Sequence, residues 1–414
     1  MRGAEAVRAN LILDEIAATL SSPSADIPFH LDGLTGRALF FAYLAEARGD
    51  DQSRRLVDTY LELAIAALAD ADTDASLWSG FVGVAWVSQH VRGRFIDNDE
   101  DDPNSELDEM LAELLAHSPW RRQYDLINGL AGHAVYAIER LNRPVGRKLL
   151  AHVVERIGEL AQERDGGISW LTPPEHLVPS RRVECPRGAF DLGVAHGIPA
   201  LVSGLAGACA AGVADGRARP LLDGAVRWLL AQRRDGSSAF PAWIHDGGEQ
   251  VARLAWCYGD AGVAAALLSA ARAVDEPSWA EAALEIGRRA AQLGHDDEEA
   301  KQLGVKDAGL CHGSLGLALI FQRLWHDGRD PLFSAAARRW YTRSLALHRP
   351  GSGLAGYQAL DYPRGVDPGE SALQWVDDPS LLTGIAGIGL GLLAGVSNVE
   401  PAWDRLLAVS LPPR

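Results

Sequence analysis

The unit G-x-x-G recurs seven times at comparable spacing, and that repetition restricts the fold more than any other feature. The copies are Gly33–Gly36 in LDGLTG, Gly80–Gly83 in LWSGFVG, Gly129–Gly132 in LINGLAG, Gly259–Gly262 in CYGDAG, Gly313–Gly316 in CHGSLG and Gly384–Gly387 in LLTGIAG. A degenerate copy starts at Gly197 in AHGIPA, with Ala200 in place of the second glycine. Successive first glycines lie 47 to 71 residues apart, room for two helices and a loop. Each unit is read as opening a helix, where glycine lets neighbouring backbones approach closely or takes a dihedral closed to other residues.

Two kinds of helix alternate between the glycines. In 145–162, Leu149, Leu150, Val153, Val154, Ile157 and Leu160 follow helical spacing, and Arg147, Lys148, Glu155, Arg156 and Glu159 take the opposite face. Residues 54–70, 217–233 and 276–293 repeat the pattern. The segments after the glycines, such as VAAALLSAA and LGLALIFQRL, are small and nearly uncharged. An inner ring buried on both sides, inside an outer ring facing water, gives that alternation. The expected architecture is all-α: a closed α/α toroid of seven inner and seven outer helices, with residues 1–414 as one domain and no sustained strand pattern.

A chain of 414 residues exceeds an ordinary single-core domain unless it closes a repeat array. Its net charge of −16 argues against non-specific binding to nucleic acid or anionic lipid. Four cysteines are too few for a disulfide-built fold, and the N-terminus lacks an apolar signal segment, so a cytoplasmic protein is expected. The uncharged stretches 192–214 and 379–399 read as buried helices rather than membrane spans. Longer connections fall at 96–108, 164–191, 234–250, 295–309 and 350–378. The first is a charged, solvated loop on composition, and the others are placed to rim a central site.

Cys257 immediately precedes one glycine unit and Cys311-His312 the next. Equivalent positions of adjacent repeats meet at one end of a toroid, so two thiolates and an imidazole converge there. That donor set suits zinc with a fourth position left open, and a substrate thiolate bound there would be electron-rich and nucleophilic. Without the shared register, the same three residues would read as buried core. Cys185 and Cys209 lack it and read as structural.

AWCYGDAG at 255–262, LCHGSLG at 310–316 and DLGVAHG at 191–197 resemble the signature segments of the LanC lanthionine synthetase cyclases; SLWSGFVG, YDLINGLAG and LLTGIAG look like the lesser ones. The resemblance runs from about residue 30 to 397 and implies a zinc-containing α/α toroid. It also implies that Cys thiols of a ribosomally made precursor peptide add to dehydroalanine or dehydrobutyrine, forming thioether rings. A separate dehydratase and a leader-bearing precursor are the implied partners, and the resemblance admits an exporter and a membrane-associated complex.

Position by position, Cys257, Cys311 and His312 match the zinc ligands and His196 the catalytic histidine. Asp125 matches its acidic partner, and Arg253 and Tyr258 two further active-site positions. His196 suits proton transfer because its ordinary pKa lies near working pH. Arg253 suits stabilisation of an enolate. His133, just after its glycines, reads as structural. Ala200 departs from the family pattern and puts the local helix packing in question. Two other functions compete: a zinc- and thiol-binding scaffold without cyclase activity, and a toroidal glycosidase. The glycosidase would need paired carboxylates at the central registers, where thiol and imidazole dominate.

Overall fold

The computed structural model describes residues 1–95, 102–236, 238–362 and 372–411. Each of the seven first glycines stands directly before a helix: Leu34–Arg48, Phe81–Phe95, Leu130–Glu139, Ile198–Ala210, Asp260–Val274, Ser314–Gly328 and Ile385–Val396. These form the inner ring, each packed against the next in chain order, and the last packs against the first. Closure depends on small residues. Gly389 of the last inner helix abuts the ring of Phe40 in the first, and any Cβ there would collide with it.

Around them stand Ala4–Leu20, Asp51–Ala69, Ser105–Ala116, Pro144–Leu160, Asp215–Ala231, Pro277–Ala291 and Pro331–Leu347. The toroid of seven inner and seven outer helices is therefore present. Three of the outer helices, Ala4–Leu20, Ser105–Ala116 and Pro331–Leu347, were not located from sequence. Ala4–Leu20 is an outer helix, and it covers the last inner helix, Ile385–Val396, across the whole length of the chain.

The outer helices bury the faces their periodicity marks. Along Pro144–Leu160, Leu149, Leu150, Val153, Val154 and Ile157 are buried, each stabilising the fold by about 1.5–3 kcal/mol relative to an exposed side chain. Arg156 departs from its assigned solvent face: it is buried, donating to the carbonyl of His117 (3.1 Å) and paired with Glu159 (2.8 Å). The uncharged stretches 192–214 and 379–399 hold two inner helices of 13 and 12 residues. Among the described residues no helix is long and apolar enough to cross a membrane.

The expected solvated loop at 96–108 requires correction. Residues 96–101 lie outside the described set, and Ser105–Ala116 already begins an outer helix. Two of its described acids are drawn inward, while Glu106 stays exposed. Asp102 and Asp108 both bind the buried guanidinium of Arg140, Asp108 accepts from Tyr136 (2.6 Å), and Asn104 donates to the carbonyl of Ala85 (2.7 Å). The other long connections carry short antiparallel strands. Gln162–Arg164 pairs with Gly167–Ser169, and Ala359–Asp361 pairs with Gln374–Val376. A three-stranded sheet orders Phe190–Asp191, Pro241–His245 and Gly248–Val251. The connection 295–309 holds the short helix Asp297–Gln302.

Candidate metal centre and proton-transfer pair

The convergence of the repeats is built from backbone hydrogen bonds. Two residues before the first glycine, or three in the repeat of Gly129, a backbone N–H of each of the first six repeats reaches toward the equivalent segment of the next: Leu31 N–H to Trp78 O (3.3 Å), Trp78 to Ile127 (3.2 Å), Leu126 to Ala195 (3.2 Å), Ala195 to Cys257 (3.5 Å), Cys257 to Cys311 (3.3 Å) and Cys311 to Leu382 (3.0 Å). This belt draws the pre-helix segments into one ring at one end of the toroid. The turns out of it are tight. Gly259 has φ +133°, and a Cβ there would stand 2.1 Å from the carbonyl oxygen of Arg253, so only glycine fits.

A second repeat-wide device supports the belt. Six residues before the first glycine, Asp74, Asp191, Asp307 and Asp378 each accept, through Oδ1, the N–H two residues on, at 2.9, 2.9, 3.0 and 2.9 Å. These aspartate turns fix the segments and leave each Oδ2 for other work. In the repeat of Cys257 the same position holds Arg253.

Cys257, Cys311 and His312 lie together, with a potential ligand atom of each within 4.8 Å of the others. His312 Nε2 faces Asp307 Oδ2 at 3.5 Å and the carbonyl of Leu360 at 3.4 Å, which leaves Nδ1 for an ion. Ligating histidines are ordinarily oriented by such a carboxylate on the opposite nitrogen. Two soft sulfurs and an oriented imidazole fit zinc. The hydrogen bond from the Cys311 thiol holds Cys257 well below the ordinary thiol range despite burial, with help from His312 and the charge of Arg253. Cys311 is pushed well above it by the same pairing and by burial. Burial pulls the His312 imidazole down, but Asp307 and Cys257 outweigh it and raise it to about 10. One thiol of the pair is thus primed to be a thiolate ligand.

In the preceding repeats, His196 Nδ1 and Asp125 Oδ2 are 2.6 Å apart. Asp125 also caps its own turn, accepting from the Asn128 N–H at 2.7 Å. Burial lowers the imidazole's proton affinity, yet the Asp125 hydrogen bond and charge, with the charge of Asp191, hold His196 above its ordinary value. The ring keeps 42% of its side-chain surface open and lines a cavity of about 150 Å³ shared with Asp125, Tyr124 and Thr172. With Nδ1 committed to Asp125, Nε2 is the nitrogen left to serve that cavity.

Tyr258 donates to Asp191 Oδ2 at 2.9 Å, and burial keeps its hydroxyl protonated far above the ordinary range. Arg253 is exposed and makes no hydrogen bond or ion pair among the described residues. His133 is buried, fixed through Nε2 to the carbonyl of Ala75 (2.9 Å), and lowered to about 4 by burial. Ala200 is buried, and its helix begins in register with the others, so the departure there costs no helix. Cys185 lies near Glu184 and His245. His245 Nδ1, however, accepts from the Gly247 N–H (3.2 Å), the reverse of what a histidine ligating through Nε2 requires.

Three residues at the site escaped the sequence reading. Asp191 and Asp307 carried a signal, their fixed offset from the glycines. Arg181 had none, because it sits on the short helix Pro179–Glu184, inside a connection outside the repeat register.

A closed ring of seven helix pairs with thiol and imidazole donors at one end defines a class, and the chain belongs to the Lanthionine synthetase C-like protein family, which matches residues 30–408. Among its relatives, the nisin biosynthesis protein NisC of Lactococcus lactis subsp. lactis is 25% identical over 319 residues, covering 70% of this chain and 73% of that protein. The solved structure of a nisin cyclase superposes with a TM-score of 0.73 at 20% identity, covering 97% of this chain and 96% of that one.

Proposed function

We propose that this chain, acting as one domain, is a zinc-dependent lanthipeptide cyclase that adds precursor-peptide cysteine thiols to dehydroalanine or dehydrobutyrine. The observation carrying this reading is a Cys257–Cys311–His312 donor set and an Asp125–His196 pair held in consecutive repeats of one backbone belt, where Ala195, beside His196, donates to the carbonyl of Cys257, in a lanthionine synthetase C-like toroid. Cys257, Cys311 and His312 would hold zinc, which when bound lowers the pKa of a coordinated thiol and so supplies a thiolate nucleophile near neutral pH.

The protein's own residues account for the rest. The substrate sulfur forms a bond to the β-carbon, and the π electrons move onto the amide as an enolate. Arg253, cationic, exposed and unpartnered among the described residues, meets that developing charge. His196 Nε2 takes up a proton and delivers one to the α-carbon, while Asp125 fixes the ring and favours its charged form. Tyr258 holds the wall of the His196 cavity through Asp191. On this reading the partners are a leader-bearing peptide, a separate dehydratase and an exporter, at the cytoplasmic side of a membrane.

The test is incubation of the zinc-loaded protein with a dehydrated precursor, then thiol alkylation and mass spectrometry. Wild type should leave fewer alkylatable thiols than Cys311→Ala. Equal numbers would end the cyclase reading.

A further inference from the structure

Arg181 lies outside every repeat, yet its guanidinium is where two repeats meet. Nη1 donates to Asp191 Oδ2 at 3.0 Å and Nη2 to the Tyr258 hydroxyl at 3.1 Å. Its Cζ stands 3.8 Å above the ring of Trp243. Asp191 belongs to the repeat of His196, five residues earlier, and Tyr258 adjoins Cys257 in the next repeat. Because Tyr258 itself donates to the same Asp191 oxygen, guanidinium, phenol and carboxylate close a triangle across the repeat boundary.

The arm that carries Arg181 is itself anchored beside the site. Thr172 and Ala189 exchange backbone hydrogen bonds at 2.8 and 3.0 Å, and Tyr124, next to Asp125, bonds its hydroxyl to Thr172 Oγ1 at 2.8 Å. Leu177, Val178 and Arg181 from this arm line the same cavity as Asp125 and His196. A buried ion pair of purely structural purpose would not need to face that cavity. Arg181 does, with 18% of its side chain exposed.

We propose that Arg181 is a positioning residue: by holding the Tyr258 hydroxyl and the Asp191 carboxylate together it fixes the distance between the thiol-ligand cluster and the Asp125–His196 pair. This rests on the cyclase reading, in which a thiolate on one side and a proton donor on the other must meet opposite ends of one double bond. Displacement of one partner by about 1 Å costs such a reaction on the order of 10²-fold. Arginine is required rather than a generic cation, because the planar fork serves two acceptors while stacking on an indole, and an ammonium does not.

The experiment uses the zinc-loaded full-length chain and a dehydrated precursor peptide, with Arg181→Met, Arg181→Lys, Tyr258→Phe and the Arg181→Met/Tyr258→Phe double variant. Arg181→Met should lower turnover at saturating peptide by about tenfold or more, leaving KM within about twofold and bound zinc unchanged. Arg181→Lys should recover part of the loss by restoring the pair with Asp191. The double variant should be no slower than the slower single one, because both changes cut the same link. Wild-type turnover in Arg181→Met, losses that multiply in the double variant, or zinc loss that Arg181→Lys does not reverse would each overturn the proposal. Coupling between the two positions is also read in denaturant unfolding without peptide. If wild type forms no rings the cyclase reading fails, whereas independence of Arg181 and Tyr258 in unfolding defeats the positioning role alone.

Discussion

The backbone N–H of Cys257 donates to the carbonyl of Cys311 at 3.3 Å, and that single bond is one link of the belt that gathers the repeats. The two thiols meet because the fold registers their main chains. A donor cluster preformed in this way loses little conformational freedom when zinc enters.

The orientation of His312 follows from Asp307. Asp307→Asn keeps the turn acceptor for Gly309 but removes the charge facing Nε2. Zinc affinity, measured by competition with a chromophoric chelator, should weaken about 10- to 100-fold. Cys311→Ala, which removes a ligand itself, should leave the purified protein largely without zinc by elemental analysis.

The Asp125–His196 pair makes a pH prediction. Because Asp125 holds the imidazole above its ordinary value, the rate limb that needs protonated His196 falls off only above that value. In Asp125→Asn, burial and the charge of Arg181 act with less opposition, so the limb should move to lower pH. The same raised value makes the pair a stabilising contact fully present below the ordinary histidine pKa and lost as pH rises through the folded one. Proton NMR titration of His196 in both proteins checks the direction.

Arg253 separates charge from architecture. It makes no hydrogen bond or ion pair among the described residues and stands exposed, four residues before Cys257. Arg253→Ala should therefore leave the unfolding midpoint near that of wild type while slowing ring formation by about 10²–10³-fold, the usual loss of an anion-stabilising donor. A large fall in the midpoint would assign it a structural role instead.

Gly259 is the opposite case. Its φ of +133° and the 2.1 Å approach to the Arg253 carbonyl leave no place for a side chain. Gly259→Ala should destabilise the protein by roughly 1–3 kcal/mol or more, read by chemical denaturation, and should loosen zinc because Cys257 lies two residues away.

The glycine register made the ring, its inner helices and the meeting of Cys257, Cys311 and His312 legible in the sequence, because a repeat writes the same constraint seven times. His196, Asp125 and Tyr258 were legible through the same register combined with family resemblance. What stayed hidden depends on partners distant along the chain. Ala4–Leu20 is an outer helix by virtue of covering Ile385–Val396. The acids near residue 105 look solvated until Arg140, more than thirty residues on, is seen to bind Asp102 and Asp108. Arg181 sits in a connection whose composition says nothing of Trp243 or Tyr258.

Carbon–sulfur bond formation is tested most directly in heavy water. Addition of a thiol to a dehydro residue leaves the peptide mass unchanged but places a solvent proton on the α-carbon. Reaction in D2O, return to H2O and mass spectrometry should therefore show one non-exchangeable deuteron for every alkylatable thiol lost. Retention of all thiols with no deuterium gained, by protein shown to carry zinc, would mean that the site binds thiols without joining them to the peptide, and would contradict the cyclase account.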